Sequence, residues 1–182
     1  VISRVTFHPF PGHLVYLLLL HQAAPQIGQC CRRHLVGADA LSVVLGVVVQ
    51  VQDQELLVGL GGGHGLYQTL LSARRSNAAD ISAIVTVADD GGSSGRLRRE
   101  LDIIPPGDLR MALAALADDN RVGELWGKTL QHRFGGNGAM AGHAVGNLMI
   151  AGLTGVLGDY QAALDAVAEL THSHGRVIPV VP

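Results

Sequence analysis

The chain has 182 residues, of which 48% are hydrophobic and 15% charged, and its formal net charge is −2 with acids and bases intermixed. That suffices for one ordinary domain or part of a larger one with a real core; it excludes a disordered or fibrous protein and leaves no broad cationic face to grip a nucleic-acid backbone. Lys128 is the only lysine, so any anion site must rest on arginine and backbone N–H groups, and the Gly-Lys-Ser/Thr ending of a Walker-type phosphate loop is absent.

Residues 1–54 begin at Val1 without methionine and show weak periodicity, scattered histidines and few charges. The neighbours Cys30 and Cys31 cannot build a disulfide framework and point to a reducing compartment, with the cytoplasm as the default. Leu14–Leu20 is too short to cross a bilayer, and Leu35–Val51 is interrupted by Gly37, Asp39 and Gly46, so both read as core strand or helix rather than membrane span. Arg4 ahead of the Leu14–Leu20 run leaves a signal-peptide reading open, although the layout is not a clear one.

From Glu55 the pattern becomes regular. It predicts a strand Leu56–Leu60, a glycine turn Gly61–Gly65, an amphipathic helix Leu66–Arg75 and a strand Ile81–Ala88, which is a β–turn–α–β unit. After the turn Pro105–Gly107, Asp108 is placed to cap a helix Leu109–Ala117 that Asp118, Asp119 and Asn120 end. Helices Glu124–Phe134, Val145–Leu157 and Ala162–Leu170 and a strand Val177–Val181 complete the reading. A glycine-rich turn near mid-chain with only one strand after it implies an incomplete sheet, hence a fragment or a truncated reading frame.

The segment Val85–Arg110 carries the densest chemistry. An apolar β-branched run delivers Asp89 and Asp90 to the carboxyl end of a strand, where open α/β sheets bind ligands. Gly91, Gly92, Ser93, Ser94 and Gly95 free the backbone to turn and point N–H groups inward, while Arg96 and Arg98 offer charge-assisted bonds to phosphate oxygens. Asp, Gly and Ser are equally the ordinary residues of a solvated strand-to-helix turn.

The turn Gly59–Gly65 follows a strand and opens a helix, so its glycines let N–H groups approach a diphosphate. It does not fit the dinucleotide fingerprint, because His64 or Leu66 stands where the third glycine belongs, and this argues against an NAD-dependent oxidoreductase. Neighbouring parallel strands would bring this turn and the acidic one to a single edge. Capping explains Asp108, whereas Arg110 in the first helical turn faces the helix's own positive end, a situation a nearby anion would relieve. His143 and Asn147 lie four residues apart, on one face if helical, and read equally as packing residues or as a polar pair aimed at a base or sugar. Asp89 and Asp90 could hold Mg²⁺ bridging phosphates, since that ion takes hard oxygen ligands. His172 and His174 lack a third ligand in sequence and read as a solvated loop rather than a zinc site. Ser93 and Ser94 have no neighbouring histidine in sequence and no nucleophile-elbow motif, which argues against covalent acyl chemistry.

The blocks GGGHGL, IVTVADDGGSSGRLRRELDIIPPGDLR, RFGGNGAMAGHAVGNLMIAGL and GRVIPV, in this order and spacing, resemble the 2-phospho-L-lactate transferase (CofD-like) superfamily and within it the YvcK-type gluconeogenesis-factor branch, in wording similar to its mycobacterial members. The resemblance covers about Leu56–Pro182. It implies that residues 55–182 are the N-terminal part of such a nucleotide-binding domain, that its C-terminal half is missing, and that residues 1–54 are an unmatched extension from a misassigned start or upstream read-through.

The resemblance further implies an α/β fold, a Rossmann-like three-layer αβα arrangement with a mostly parallel sheet. One branch transfers a phospholactyl group from a guanosine diphosphate-linked donor to the deazaflavin precursor of coenzyme F420, with Mg²⁺. The other binds UDP-sugars and serves cell shape and wall synthesis on gluconeogenic carbon, with no reaction firmly attached. By position, Gly61, Gly62, Gly63 and Gly65 would cradle phosphates, Asp89 and Asp90 would sit by the metal or transferred group, and Ser93, Ser94 and Arg96 would hold phosphate. His143 and Asn147 would line the same crevice. His64 stands where many members carry Thr. The leading expectation is a cytoplasmic UDP-sugar-binding regulatory factor, open to homo-oligomerisation, with no nucleic-acid partner; the alternative is the transferase.

Overall fold

The computed structural model describes residues 4–6, 14–19, 45–51, 54–75 and 80–180. Among the described residues six strands form one sheet in chain order: β1 (Arg4–Thr6), β2 (Leu14–Leu19), β3 (Leu45–Val51), β4 (Gln54–Gly61), β5 (Asp80–Val85) and β6 (Arg176–Pro179). Strands β4, β5 and β6 run parallel, and β1 to β3 join β4 through antiparallel pairings. The described parts of both N-terminal apolar runs are therefore strands. Cys30, Cys31 and the first part of the Leu35–Val51 run lie outside the described residues.

Register decides where the loops emerge. Gly61 of β4 stands opposite Val85 of β5, so both strands end level and their outgoing loops leave the sheet at one edge. Among the described residues six helices accompany the parallel strands: α1 (Gly63–Arg74), α2 (Gly92–Leu101), α3 (Gly107–Leu116), α4 (Arg121–Gln131), α5 (Val145–Leu157) and α6 (Tyr160–Leu170). The result is the Rossmann-like αβα layering expected from the sequence.

The core follows from periodicity. Alternate residues Ile81, Ala83 and Val85 of β5 point inward, as a pleated strand requires. Helix α3 is buried all round, with Leu109, Leu113 and Leu116 fully enclosed, because α1, α4, α5 and α6 as well as β5 and β6 all touch it. Each such leucine contributes about 1.5–3 kcal/mol through removal from water.

Several element boundaries depart from the sequence reading. Strand β5 stops at Val85, not Ala88, so Asp89 and Asp90 lie on the connection to α2 rather than at a strand end. No helix is read from the sequence between Gly91 and Pro105, yet α2 occupies Gly92–Leu101 with Leu97 as its one buried apolar side chain; a single leucine gives no 3.6-residue period to detect. Asp108 does not cap α3: the helix starts at Gly107 after Pro106, and Asp108 makes no capping bond. The residue that caps a helix in this region is Asn120, whose Oδ1 accepts the N–H groups of Val122 and Gly123 at 2.9 Å each and starts α4 at Arg121, ahead of the expected Glu124.

Candidate functional site

The loops after β4 and β5 are joined to each other. The Thr86 N–H donates to the Gly61 carbonyl at 2.8 Å, and this bond carries the parallel pairing one step beyond the strands. The crevice between the loops is closed at its third side by the first turn of α3.

Two glycines let the crevice walls meet. A Cβ on Gly62 would collide with Asp108 Oδ2 and lie 2.5 Å from Thr86 Oγ1, and one on Gly107 would collide with Asp89 Oδ2 and Ser94 Oγ. Asp108 thus reaches back over the β4–α1 turn, where the Gly63 N–H donates to it. Gly63 has φ of +60° and Gly92 +47°, left-handed conformations that favour glycine at each helix start. Gly61 completes the strand and Gly65 lies in the first turn of α1.

The acidic pair of the crevice is Asp89 with Asp108. Asp90 points elsewhere and ion-pairs with Arg98 at 2.6 Å, both side chains being largely exposed. Asp89 accepts the Gly91 N–H at 3.0 Å. Burial, reinforced by the Asp89 charge, raises the Asp108 carboxyl above its ordinary value, while the Gly63 N–H, Arg110 and His64 oppose the rise. Among the described residues no three His, Cys, Asp or Glu groups are arranged to hold a metal ion; two carboxylates and a hydroxyl suit only an ion that also takes phosphate oxygens or water.

Behind this pair lies a buried polar chain that sequence spacing could not reveal. Arg110, 3% exposed, donates from Nε to Asn147 Oδ1 at 2.9 Å and from a guanidinium nitrogen to Gln131 Oε1. Since arginine only donates, the Asn147 oxygen must face it, and the amide nitrogen then donates to Ser93 Oγ at 3.0 Å and Ser94 Oγ at 3.3 Å. Ser93 Oγ also shares a hydrogen bond with His143 Nδ1, 3.0 Å away. Burial first, and then the Arg133 charge, push Arg110 down to about 10, against the pull of Asp89 and Asp108. Asp89 and Asp108 offset part of the burial cost of Arg110 but do not cancel it.

Ser93 and Ser94 sit in the first turn of α2, buried, instead of on a free turn. His143 precedes α5 rather than lying on it, but it joins Asn147 at Ser93 all the same. Arg96 donates to the Ala141 carbonyl at 2.7 Å. His174 meets Asp118 at 2.9 Å, so a carboxylate is its partner, and His172 lies near Asn120. Gln131 and Thr86 were not singled out by sequence; a Gln in a helix and a Thr after a strand carry no pattern of their own. Gln131 also lines a separate cavity of about 460 Å³ between α1 and α4, floored by Ala114 of α3 and by Ala117 just beyond it.

Comparison with known proteins gives one consistent picture. Residues 57–182 match the family model described as 2-phospho-L-lactate transferase CofD. The chain is 64% identical over 126 residues to the "Putative gluconeogenesis factor" of Mycobacterium tuberculosis, covering 69% of this chain and 36% of that protein. It is 48% identical over 119 residues to the "Gluconeogenesis factor" of Bacillus subtilis, covering 65% and 36%. A crystal structure of a UPF0052-family protein from Bacillus halodurans superposes with a TM-score of 0.60 at 44% identity, over 67% of this chain and 38% of that one. The chain thus spans little more than a third of the length of these relatives.

Proposed function

This chain belongs to the 2-phospho-L-lactate transferase CofD family, and from that premise we propose that it binds a nucleoside diphosphate-linked sugar of the UDP-sugar class as a cytoplasmic regulatory factor for cell shape and wall synthesis during gluconeogenic growth. The observation that carries this reading is the Thr86–Gly61 bond, which ties two glycine-lined loops together at one sheet edge. Backbone N–H groups of Gly61, Gly62, Gly63 and Gly65 receive phosphate oxygens at the positive end of α1. Ser94 and Arg96 hold the same group from the α2 side, and the chain Ser93–Asn147–Arg110 with His143 keeps α2 in place beneath it.

Asp89 and Asp90 were the expected Mg²⁺ ligands, and Asp108 stands nearer to that role than Asp90, which is engaged by Arg98. Two adjacent carboxylates, one with a raised pKa, fit a hard cation whose remaining positions are filled by phosphate and water. When bound, the ion supplies charge neutralisation for the diphosphate. Among the described residues no helix is long and apolar enough to cross a membrane.

The name of the matched family favours a second reading, phospholactate transfer from a guanosine diphosphate-linked donor. Isothermal titration with UDP-N-acetylglucosamine and with GDP separates the two. Preferential binding of the uridine ligand supports the regulatory factor; tight guanosine binding without uridine preference overturns it.

A further inference from the structure

Between α4 and α5 the chain makes a glycine-rich excursion that the crevice chemistry leaves unexplained. Its base is closed by bonds from the Phe134 N–H to the His143 carbonyl at 3.0 Å and from the Gly142 N–H to the Phe134 carbonyl at 2.8 Å. Its tip is open: a Cβ at Gly135, Gly136 or Gly138 would meet nothing. Phe134 and Met140 stand 37% and 48% exposed on it, and Phe134 packs edge-on against His132, so both side chains have apolar surface left to offer a ligand.

Two guanidinium groups grip the returning limb. Arg133 donates to the Gly142 carbonyl at 2.9 Å, a local bond within the loop itself. Arg96 donates to the Ala141 carbonyl at 2.7 Å from another element, α2, one turn beyond Ser93 and therefore beside the crevice. A cation on a neutral carbonyl is held less strongly than the same cation on a phosphate oxygen. The limb ends at His143, which is anchored on Ser93, so residues 134–142 are tied at that end to the crevice wall.

We propose that Arg96 is a latch and residues 134–142 a lid: on arrival of a diphosphate the guanidinium exchanges the Ala141 carbonyl for phosphate oxygens, and the released loop lays Phe134 and Met140 against the base or sugar. This rests on the nucleoside-diphosphate reading above and adds to it the residues that select the organic part of the ligand. Phosphate contacts then come from the start of α1 and from α2, and apolar contacts come from the lid.

Amide hydrogen exchange of the 182-residue chain tests it, read at Ala141 and Gly142, whose N–H groups are bonded to Gly138 and Phe134. Inorganic pyrophosphate, which frees the latch but offers nothing to cover, accelerates exchange there about fivefold, the loss of one hydrogen bond of about 1 kcal/mol. UDP reverses that acceleration. In Arg96→Gln the fast exchange is present without ligand, and pyrophosphate adds none. Phe134→Ala weakens UDP binding and leaves pyrophosphate binding unchanged, an outcome independent of whether the Arg96 variant folds. Pyrophosphate that binds without altering exchange overturns the latch alone; a chain that binds neither probe overturns the latch and the nucleotide reading together.

Discussion

The Ser93 hydroxyl lies 3.0 Å from His143 Nδ1, across fifty residues of sequence. That contact is the outer end of a buried chain running through Asn147 to Arg110 and Gln131. Donors and acceptors are matched from one end of it to the other, so α2, α3, α4 and α5 are fixed relative to each other by polar bonds as well as by packing.

Asn147 is the one member that both accepts from the buried guanidinium and donates to the serines. Asn147→Ala strands Arg110 Nε without an acceptor in a site 3% exposed, and a loss of about 2–3 kcal/mol in urea unfolding is expected. Asn147→Asp keeps the acceptor and loses the donor. A loss below about 0.5 kcal/mol for the alanine variant would show that water replaces the amide at no cost.

Gly62→Ala and Gly107→Ala each drive a methyl group into a crevice carboxylate, Asp108 and Asp89 respectively. Overpacking of this kind costs about 1–3 kcal/mol. Titration with UDP is expected to show affinity lost in both variants, while Gly155→Ala on α5, whose added methyl meets nothing, binds like the parent chain.

Asp108 gives a pH dependence with a defined sign. Its carboxyl is raised above 3.8 in the folded protein, so the folded state keeps a proton that the unfolded chain releases. Stability therefore falls as pH rises from below the ordinary value through the raised one, and the full cost persists at neutral pH. Asp108→Asn retains an acceptor for Gly63 and removes the charge. Its urea midpoint is expected to exceed the parent's at about pH 7, with the margin shrinking toward about pH 3; a margin independent of pH would remove burial of this charge as the cause.

Arg74, in the last turn of α1, donates to the Ala115 and Ala117 carbonyls at the end of α3 and pairs with Asp119. Lysine carries the charge without the planar fork. Arg74→Lys is expected to lose about 1–2 kcal/mol, one to two hydrogen bonds' worth, and most of the loss should survive about 1 M salt because two of the bonds go to main-chain carbonyls and only one to the exposed Asp119.

The parallel core was legible from residues alone. Leu56–Leu60, the glycine turn and the Ile81 run announced β4, α1 and β5, and Val145–Leu157 matches α5 end to end. What the sequence could not disclose was pairing at a distance. Ser93 and His143, or Arg110 and Gln131, come together only because α3 is packed among four other helices, and spacing along the chain carries no trace of that. Local rules also competed: Asp108 has the chemistry of a cap, but Pro106 and Gly107 start the helix ahead of it, and the freed carboxylate turns to Gly63. Asn120, read as a helix stop, starts the next helix instead.

Helix α3 carries Asp108 and Arg110 at its head and three enclosed leucines along its body. One rod thus belongs both to the crevice wall and to the core of the described residues. A substitution at either end of this helix is therefore felt at the other, whereas the open glycine tip at residues 135–138 is free of that double constraint.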